Sequence, residues 1–388
     1  MVRRIQPLDG LRGIAVLSVM VMHFFGSEET ISRHPDWIAK SIMGVVRAGW
    51  FGVDLFFALS GFLITGILLR SKNNPFYFRS FYIRRSFRIF PVYYVVLAMI
   101  LLGTTVLYPI FNRFKFAALE DVCSTQWLHW IYASLVAIFL DSSIHLGPFG
   151  HFWSLAVEEH FYVLWPLVVF VTSRTALPWV CVAIGISSAV LRGFFVGQGW
   201  VEAAYCFTPC RLDALAYGGL LACMSTMDAN FWKPSSKALW LVFFFTMASI
   251  AMTGIFLGRL EYQNRFVLAY TIPLVSIAAT CLIGIAVSST EESTVHRALA
   301  HPALTFFGKY SYAMYIFHMP LVLLLPRLTR IPLFGNSTFE TLLFHSASTL
   351  VGIFVTSVVA MVSWRLVEAP AMRIRDLIHE RFCRGAAS

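Results

Sequence analysis

The sequence predicts an all-α protein: a polytopic membrane helix bundle with about ten spanning helices, one further re-entrant or interfacial segment, and both termini cytoplasmic. Three observations carry that expectation. Of the 388 residues, 58% are hydrophobic and only 13% are charged, whereas a soluble chain carries about 25% charged residues. Apolar runs of bilayer-spanning length recur from one end of the chain to the other. Basic residues gather in a few of the segments between those runs.

A hydrocarbon core about 30 Å thick takes about 20 residues of helix. Runs of that kind lie near 11–26, 51–69, 91–108, 152–172, 176–196, 209–225, 238–257, 266–287, 310–325 and 343–364. The first follows basic residues, as a signal peptide would. No small-residue cleavage site follows His23, and Arg12 interrupts the start of the run, so it reads as a span. Trp127–Leu140 has only 14 residues, a length that suits a re-entrant or interfacial piece.

Basic residues give the direction. Residues 70–91, read as a loop, hold Arg70, Lys72, Arg79, Arg84, Arg85 and Arg88 and no acid, and the C-terminal tail holds Arg365, Arg373, Arg375, Arg381 and Arg384. Ten spans put the N-terminus, this loop and the tail on one side, which the positive-inside rule makes cytoplasmic. Eleven spans would place the basic tail outside. The net charge of +10 is therefore assigned to cytoplasmic segments in contact with membrane lipid. No basic patch with a reading motif points to nucleic acid. Of seven cysteines only Cys206 and Cys210 share a loop, and two free thiols are favoured there over a disulfide.

Ionisable side chains within spans face cavities or partners and are functional candidates by default. Arg12 and His23 are eleven residues apart, about three helical turns, so they share one face roughly 16 Å apart along the axis. Arg12 alone also fits a snorkelling residue, but the shared face favours a polar channel. In "HFWSLAVEEHFYVLWP" (151–166) Ser154, Glu158 and Tyr162 follow at i, i+4 and i+8, with His151 on the same side. Glu158 points inward with that stripe, while His160 reads as interfacial. Asp54 opens the second span, where it either caps normally or orients a histidine. Arg211 and Asp213 sit at another span end, as an ion pair or as substrate contacts. Ser311, Tyr315 and His318 share a face at i, i+4 and i+7, and His318 either braces neighbouring helices or joins the site. Arg84, Arg85 and Arg88 form a compact cluster. Topogenic charge accounts for their number, and forked guanidinium donors equally suit phosphates.

These residues carry a resemblance. The chain is similar to the acyltransferase-3 family of membrane O-acyltransferases in "LDGLRGIAVLSVMVMHF", "FGVDLFFALSGFLIT", "RRSFRIFPVYY", "HFWSLAVEEHFYVLWP", "CRLDALAYGGLLA", "YSYAMYIFHMP" and "VEAP" (367–370), in that order and almost end to end. The resemblance implies a transmembrane acyltransferase domain over 1–370 and a basic cytoplasmic tail over 371–388. It implies acyl-CoA, most often acetyl-CoA, as the cytoplasmic co-substrate, and a hydroxyl on a sugar or glycan as acceptor. The family's required Arg and His fall on Arg12 and His23, and its basic motif falls on Arg84, Arg85 and Arg88. Some relatives carry a C-terminal hydrolase-like domain, which is not expected in a chain that ends soon after "VEAP". A bacterial inner membrane is the expected location.

Resemblance and residue pattern together predict that His23 is the general base. Glu158 holds or balances its imidazole, and Ser154, Tyr162 or a backbone amide stabilises the oxyanion. An acyl-histidine intermediate is an open alternative. No Gly-x-Ser-x-Gly elbow is present, and the histidines lack metal-ligand spacing. A transporter or flippase with the same charged interior is the competing class. It would move a glycan or lipid-linked substrate without acyl-CoA.

Overall fold

The computed structural model describes residues 5–25, 37–102, 127–133, 149–226, 235–324 and 338–385. Among these residues every regular element is helical. In chain order the helices are α1 (Gln6–Phe24), α2 (Trp37–Arg47), α3 (Phe51–Ser71), α4 (Tyr77–Leu102), α5 (Phe152–Val171), α6 (Leu177–Gly197), α7 (Val201–Cys206), α8 (Thr208–Thr226), α9 (Ser236–Leu257), α10 (Ile272–Ser288), α11 (Thr294–Leu299), α12 (Pro302–Leu324), α13 (Thr338–Ser363) and α14 (Ala369–Gly385). A 3-10 turn, Ala48–Trp50, leads into α3. Single π-helical turns at Val267–Thr271 and Trp364–Glu368 adjoin α10 and α14.

Among the described residues eight helices are long and apolar enough to cross a membrane, so the chain is an integral, multi-pass membrane protein. Two more expected spans, 209–225 and 310–325, coincide with α8 and α12. Both helices carry interior polar side chains: Arg211 and Asp213 in α8, Ser311 and His318 in α12, all buried. The outer helices show the opposite pattern. Phe256 of α9 is 86% exposed and Trp179 of α6 is 72% exposed, as apolar side chains on the outside of a membrane bundle are. Of the segment 127–140, residues 134–140 lie outside the described set. Residues 127–133 make one helical turn that ends at Tyr132, φ 55°, too short to span.

The centre of the bundle is α1, which packs along α12 and against α3, while α3 packs along α8. Glycines let these backbones touch. A Cβ on Gly308 would lie 1.8 Å from the Asp9 carbonyl oxygen, and one on Gly13 would lie 2.1 Å from that of Leu304. Interior polar side chains of α1 and α12 thereby come within hydrogen-bonding range.

One sequence expectation is corrected. The basic stretch 70–91 is not a loop, and the third span does not begin at 91. α4 is continuous from Tyr77 through Pro91. Its first turns are docked: Tyr77, Phe81 and Ile89 are buried, and the hydroxyls of Tyr77 and Tyr82 donate to the carbonyls of Pro166 (3.0 Å) and Val163 (2.8 Å) on α5. The density of arginine suggested a solvated loop, whereas buried aromatics at helical spacing carry the segment along α5.

Candidate functional site

Five helices contribute to one cavity of about 90 Å³ that opens outward at the exposed Arg88. Its polar wall comprises Arg12 from α1, Ser60 from α3, Arg85 and Arg88 from α4, Ser154, Glu158 and Tyr162 from α5, and Ser311, Tyr312 and Tyr315 from α12. The α5 stripe and the α12 face read from periodicity thus meet across this space. The first turn of α1 supplies an anchor: Arg12 Nη1 donates to Asp9 Oδ1 at 2.8 Å.

Glu158 is held within the cavity wall. Ser60 Oγ donates to its Oε1 at 2.6 Å, and the Tyr162 hydroxyl lies 3.2 Å from its Oε2 and 3.1 Å from Ser60 Oγ. The Arg85 guanidinium carbon stands 5.1 Å above the Tyr162 ring, close enough for a cation–π contact. One carboxylate therefore has two hydroxyl partners, with arginines in the same wall. The expectation that Glu158 holds the His23 imidazole finds no such contact among the described residues.

The partner of His23 is His318. His23 Nδ1 and His318 Nε2 are 3.1 Å apart, with ring centroids at 5.0 Å. Hydrogen-bond logic assigns the protons. His318 Nδ1 lies 2.5 Å from the Tyr315 carbonyl oxygen, which can only accept, so Nδ1 bears hydrogen. In neutral His318, Nε2 is then the acceptor, and His23 Nδ1 must donate to it. His23 Nε2 is left with its lone pair. His151 is the third imidazole: its ring lies 4.9 Å from that of His318, and its Nε2 donates to the Ile316 carbonyl at 3.2 Å.

Ser154 and Tyr315 join the imidazoles to the cavity. Ser154 Oγ donates to the His151 carbonyl at 2.9 Å and lies 2.6 Å from the Tyr315 hydroxyl. With its own proton committed, Ser154 receives that of Tyr315. Tyr315 thus faces the cavity with its hydroxyl and orients His318 with its carbonyl. His23, His151 and His318 stand beyond the cavity wall, at the far end of a polar track from Arg12.

The other predicted residues serve elsewhere. Asp54 pairs with Arg211 (2.8 Å) and Asp213 pairs with Arg192 (2.7 Å), all four side chains being 0% exposed. Asp54 therefore orients no histidine, and Arg211 and Asp213 do not line the cavity. Arg211 lies 5.1 Å from the Tyr205 ring centroid and 5.6 Å from that of Trp153. These pairs tie α3 and α6 to α8. Arg84 is exposed and absent from the cavity wall, so only two members of the arginine cluster reach it. Cys206 and Cys210 are free and buried; burial, reinforced by Glu202, pushes the Cys206 thiol well above its ordinary pKa.

Sequence reading passed over Asp9, Arg192 and the partnership of Ser60 with Glu158. A charge inside an apolar run was the available signal for Arg192, and an acid three residues before Arg12 was the signal for Asp9. Ser60 offered none, because a serine beside a glycine in a span reads as packing. Among the described residues no group of three or more His, Cys, Asp or Glu side chains is placed to hold a metal ion.

A multi-pass bundle with guanidinia, Arg88 exposed and Arg12 and Arg85 half-buried, at one end of a polar track and imidazoles at the other is a membrane protein built around a site between its helices. Residues 5–364 match the acyltransferase-3 family, described as "Acyltransferase domain", and the chain belongs to that family. It is 28% identical over 383 residues to YrhL of Bacillus subtilis, covering 95% of this chain and 55% of that relative. It is 26% identical over 375 residues to the peptidoglycan O-acetyltransferase OatA of Listeria monocytogenes, covering 94% of this chain and 55% of the relative. The O-acetyltransferase OatA of Staphylococcus aureus is 25% identical over 377 residues, 95% of this chain and 57% of the relative. The chain thus spans little more than half the length of these relatives. No solved structure matches it.

Proposed function

We propose that this chain is a bacterial inner-membrane O-acyltransferase that moves an acyl group, acetyl in the first instance, from cytoplasmic acyl-CoA to a hydroxyl of a glycan. The observation that carries the reading is the polar track, with guanidinia of Arg12, Arg85 and Arg88 around a cavity at one end and an imidazole with an available lone pair at the other. The glycan acceptor rests on the relatives, two of which are named for peptidoglycan. The positive-inside rule, with ten spans and both termini cytoplasmic, turns the Arg12 end toward the cytoplasm.

The cavity's donors suit the co-substrate. Guanidinia bind phosphate through paired, charge-assisted hydrogen bonds, and three of them share the wall. Arg84, exposed on the same helix, adds to the positive field. When bound, acyl-CoA supplies the thioester carbonyl that the acceptor oxygen attacks.

His23 Nε2 takes the proton of the acceptor hydroxyl as the oxygen–carbon bond forms. His318 receives the hydrogen bond from His23 Nδ1 throughout and so stabilises the imidazolium. The Tyr315 hydroxyl, on turning its proton from Ser154 to the reacting oxygen, is the candidate donor to the oxyanion, and Ser154, whose own proton goes to the His151 carbonyl, keeps Tyr315 in place. As the carbon–sulfur bond breaks, His23 returns the proton to the departing sulfur. Glu158 keeps Ser60 and Tyr162 in place and offsets the surrounding arginine charge.

The test is thiol release from acetyl-CoA in proteoliposomes containing the purified protein, with and without glycan oligosaccharides, for wild type and His23→Ala. Acceptor-dependent release that disappears in a well-folded His23→Ala protein is expected. Release that survives in His23→Ala would overturn the base. Passage of the glycan across the bilayer without thiol release would make the protein a transporter or flippase.

A further inference from the structure

A second cavity, of about 310 Å³, lies at the Arg12 end of the bundle. It is bordered by the start of α1, the end of α3, the end of α8 and Val287 of α10, and it opens outward at Arg70, which is exposed. Its polar lining is Asp9, Arg12, Arg70, Ser225 and Thr226. Arg12 belongs to both cavities and forms the partition between them.

The lining is unbalanced in charge and in donors. Asp9 is committed to Arg12 at 2.8 Å. Ser225 and Thr226 donate their hydroxyl protons to their own helix, to the carbonyls of Leu221 (2.8 Å) and Ala222 (2.9 Å). Arg70 is different: no hydrogen bond or ion pair engages its side chain among the described residues. Its guanidinium lies back over Gly66, close enough that a Cβ there would meet Nη1 at 3.4 Å. The cavity therefore presents one uncommitted guanidinium, backed by a second that is already paired.

We infer that this cavity is an anion subsite for a phosphate monoester at the nucleotide end of the acyl donor, with Arg70 as its ligand. The inference rests on the acyl-CoA reading above and divides the donor between the two spaces. Pockets that enclose small molecules have volumes of about 300–1,000 Å³. The Arg70 cavity reaches that range and the inner cavity, at about 90 Å³, does not. A ring-bearing nucleotide belongs in the larger space, and the slender thioester arm passes Arg12 into the smaller one. The pyrophosphate between them meets Arg12, Arg85 and Arg88.

A lipid headgroup presents the same phosphate chemistry, so the experiment separates the two sources. Steady-state transfer is measured with acetyl-CoA and with acetyl-3′-dephospho-CoA, for wild type, Arg70→Gln and Arg70→Lys, in vesicles of phosphatidylcholine alone and with added phosphatidylglycerol. For wild type, loss of the 3′-phosphate is expected to raise the donor KM about tenfold, as one charge-assisted hydrogen bond requires, with kcat little changed. Arg70→Gln should raise the KM for acetyl-CoA by a similar factor and no longer distinguish the two donors. Arg70→Lys should recover part of the preference. Arg70→Gln that distinguishes the donors as wild type does would overturn the inference. So would an effect equal for both donors and confined to phosphatidylglycerol vesicles, which would assign Arg70 to lipid. Absence of transfer from either donor in wild type would instead refute the acyltransferase reading itself.

Discussion

His318 offers the sharpest test of the imidazole arrangement. Its side chain is fully buried, and His318→Phe keeps a ring of similar size while removing both nitrogens. His23 then loses the acceptor 3.1 Å from its Nδ1. On the proposed mechanism, once His23 has taken the acceptor's proton, that hydrogen bond is made by a cation, and such bonds contribute about 1.5–3 kcal/mol. The resulting fall in kcat is about 10- to 150-fold. The donor KM should hold, because His318 lines neither cavity. His318→Gln carries a carbonyl oxygen able to accept from His23, and should recover part of the loss. The assay is the initial rate of acetyl transfer in proteoliposomes at equal folded protein, with melting temperature in detergent as the control for folding. A folded His318→Phe protein with kcat within about twofold of wild type, beside an inactive His23→Ala, would refute the orienting role.

Three further outcomes follow from the geometry. Arg192 and Asp213 are fully buried partners; Asp213→Leu alone should lower stability by about 3–5 kcal/mol, and Arg192→Met with Asp213→Leu should restore most of it, as read by chemical denaturation in micelles. A Cβ at Gly308 would lie 1.8 Å from the Asp9 carbonyl, so Gly308→Ala must part α1 from α12 at a cost of about 1–3 kcal/mol and should weaken transfer by displacing Arg12; unchanged melting and transfer would contradict that close contact. Tyr315→Phe removes the hydroxyl 2.6 Å from Ser154 but keeps the carbonyl that orients His318. It should therefore reduce kcat by about 100- to 1,000-fold if that hydroxyl serves the oxyanion, and loss of less than about threefold would exclude it from that role.

How much of this was legible in the sequence depends on which contacts helical periodicity can express. Spacing placed Ser154, Glu158 and Tyr162 on one face of α5, and Ser311, Tyr315 and His318 on one face of α12, and the two faces do meet. What a period of 3.6 residues leaves open is the depth at which two faces engage. Glu158 and His23 both look inward, yet Glu158 reaches Ser60, and His23 reaches His318. The choice is made by backbone approach at Gly10, Gly13 and Gly308, and the sequence does not say which helix will occupy each notch. Asp54 and Asp213 failed to read out for the same reason. Their partners Arg211 and Arg192 lie on other helices, and an acid at a span end is locally indistinguishable from a cap. In the 70–91 stretch the setting of the charges was misread: the arginine count suggested a loop, whereas the buried aromatic rings between the arginines describe a helix.

The separation of cavity from imidazoles bears on how a reaction could use both. Transfer from a thioester to a hydroxyl neither consumes nor releases a proton overall, so the base that deprotonates the acceptor must lie where it can also protonate the departing sulfur. His23 meets that requirement only if the thioester travels past Arg12 and the Glu158 wall to the imidazole end. Among the described residues no wall hydroxyl relays a proton in its place: the Ser154 proton is directed to the His151 carbonyl, and the link from Tyr315 to His318 runs through a carbonyl, which cannot pass a proton on. The polar track therefore suits movement of the acyl arm rather than of the proton. On the proposed mechanism its three guanidinia would hold the phosphates at one end while the carbonyl carbon is exchanged at the other. On that argument the eleven residues between Arg12 and His23 set a length, the reach of the donor from its anchored phosphates to the base.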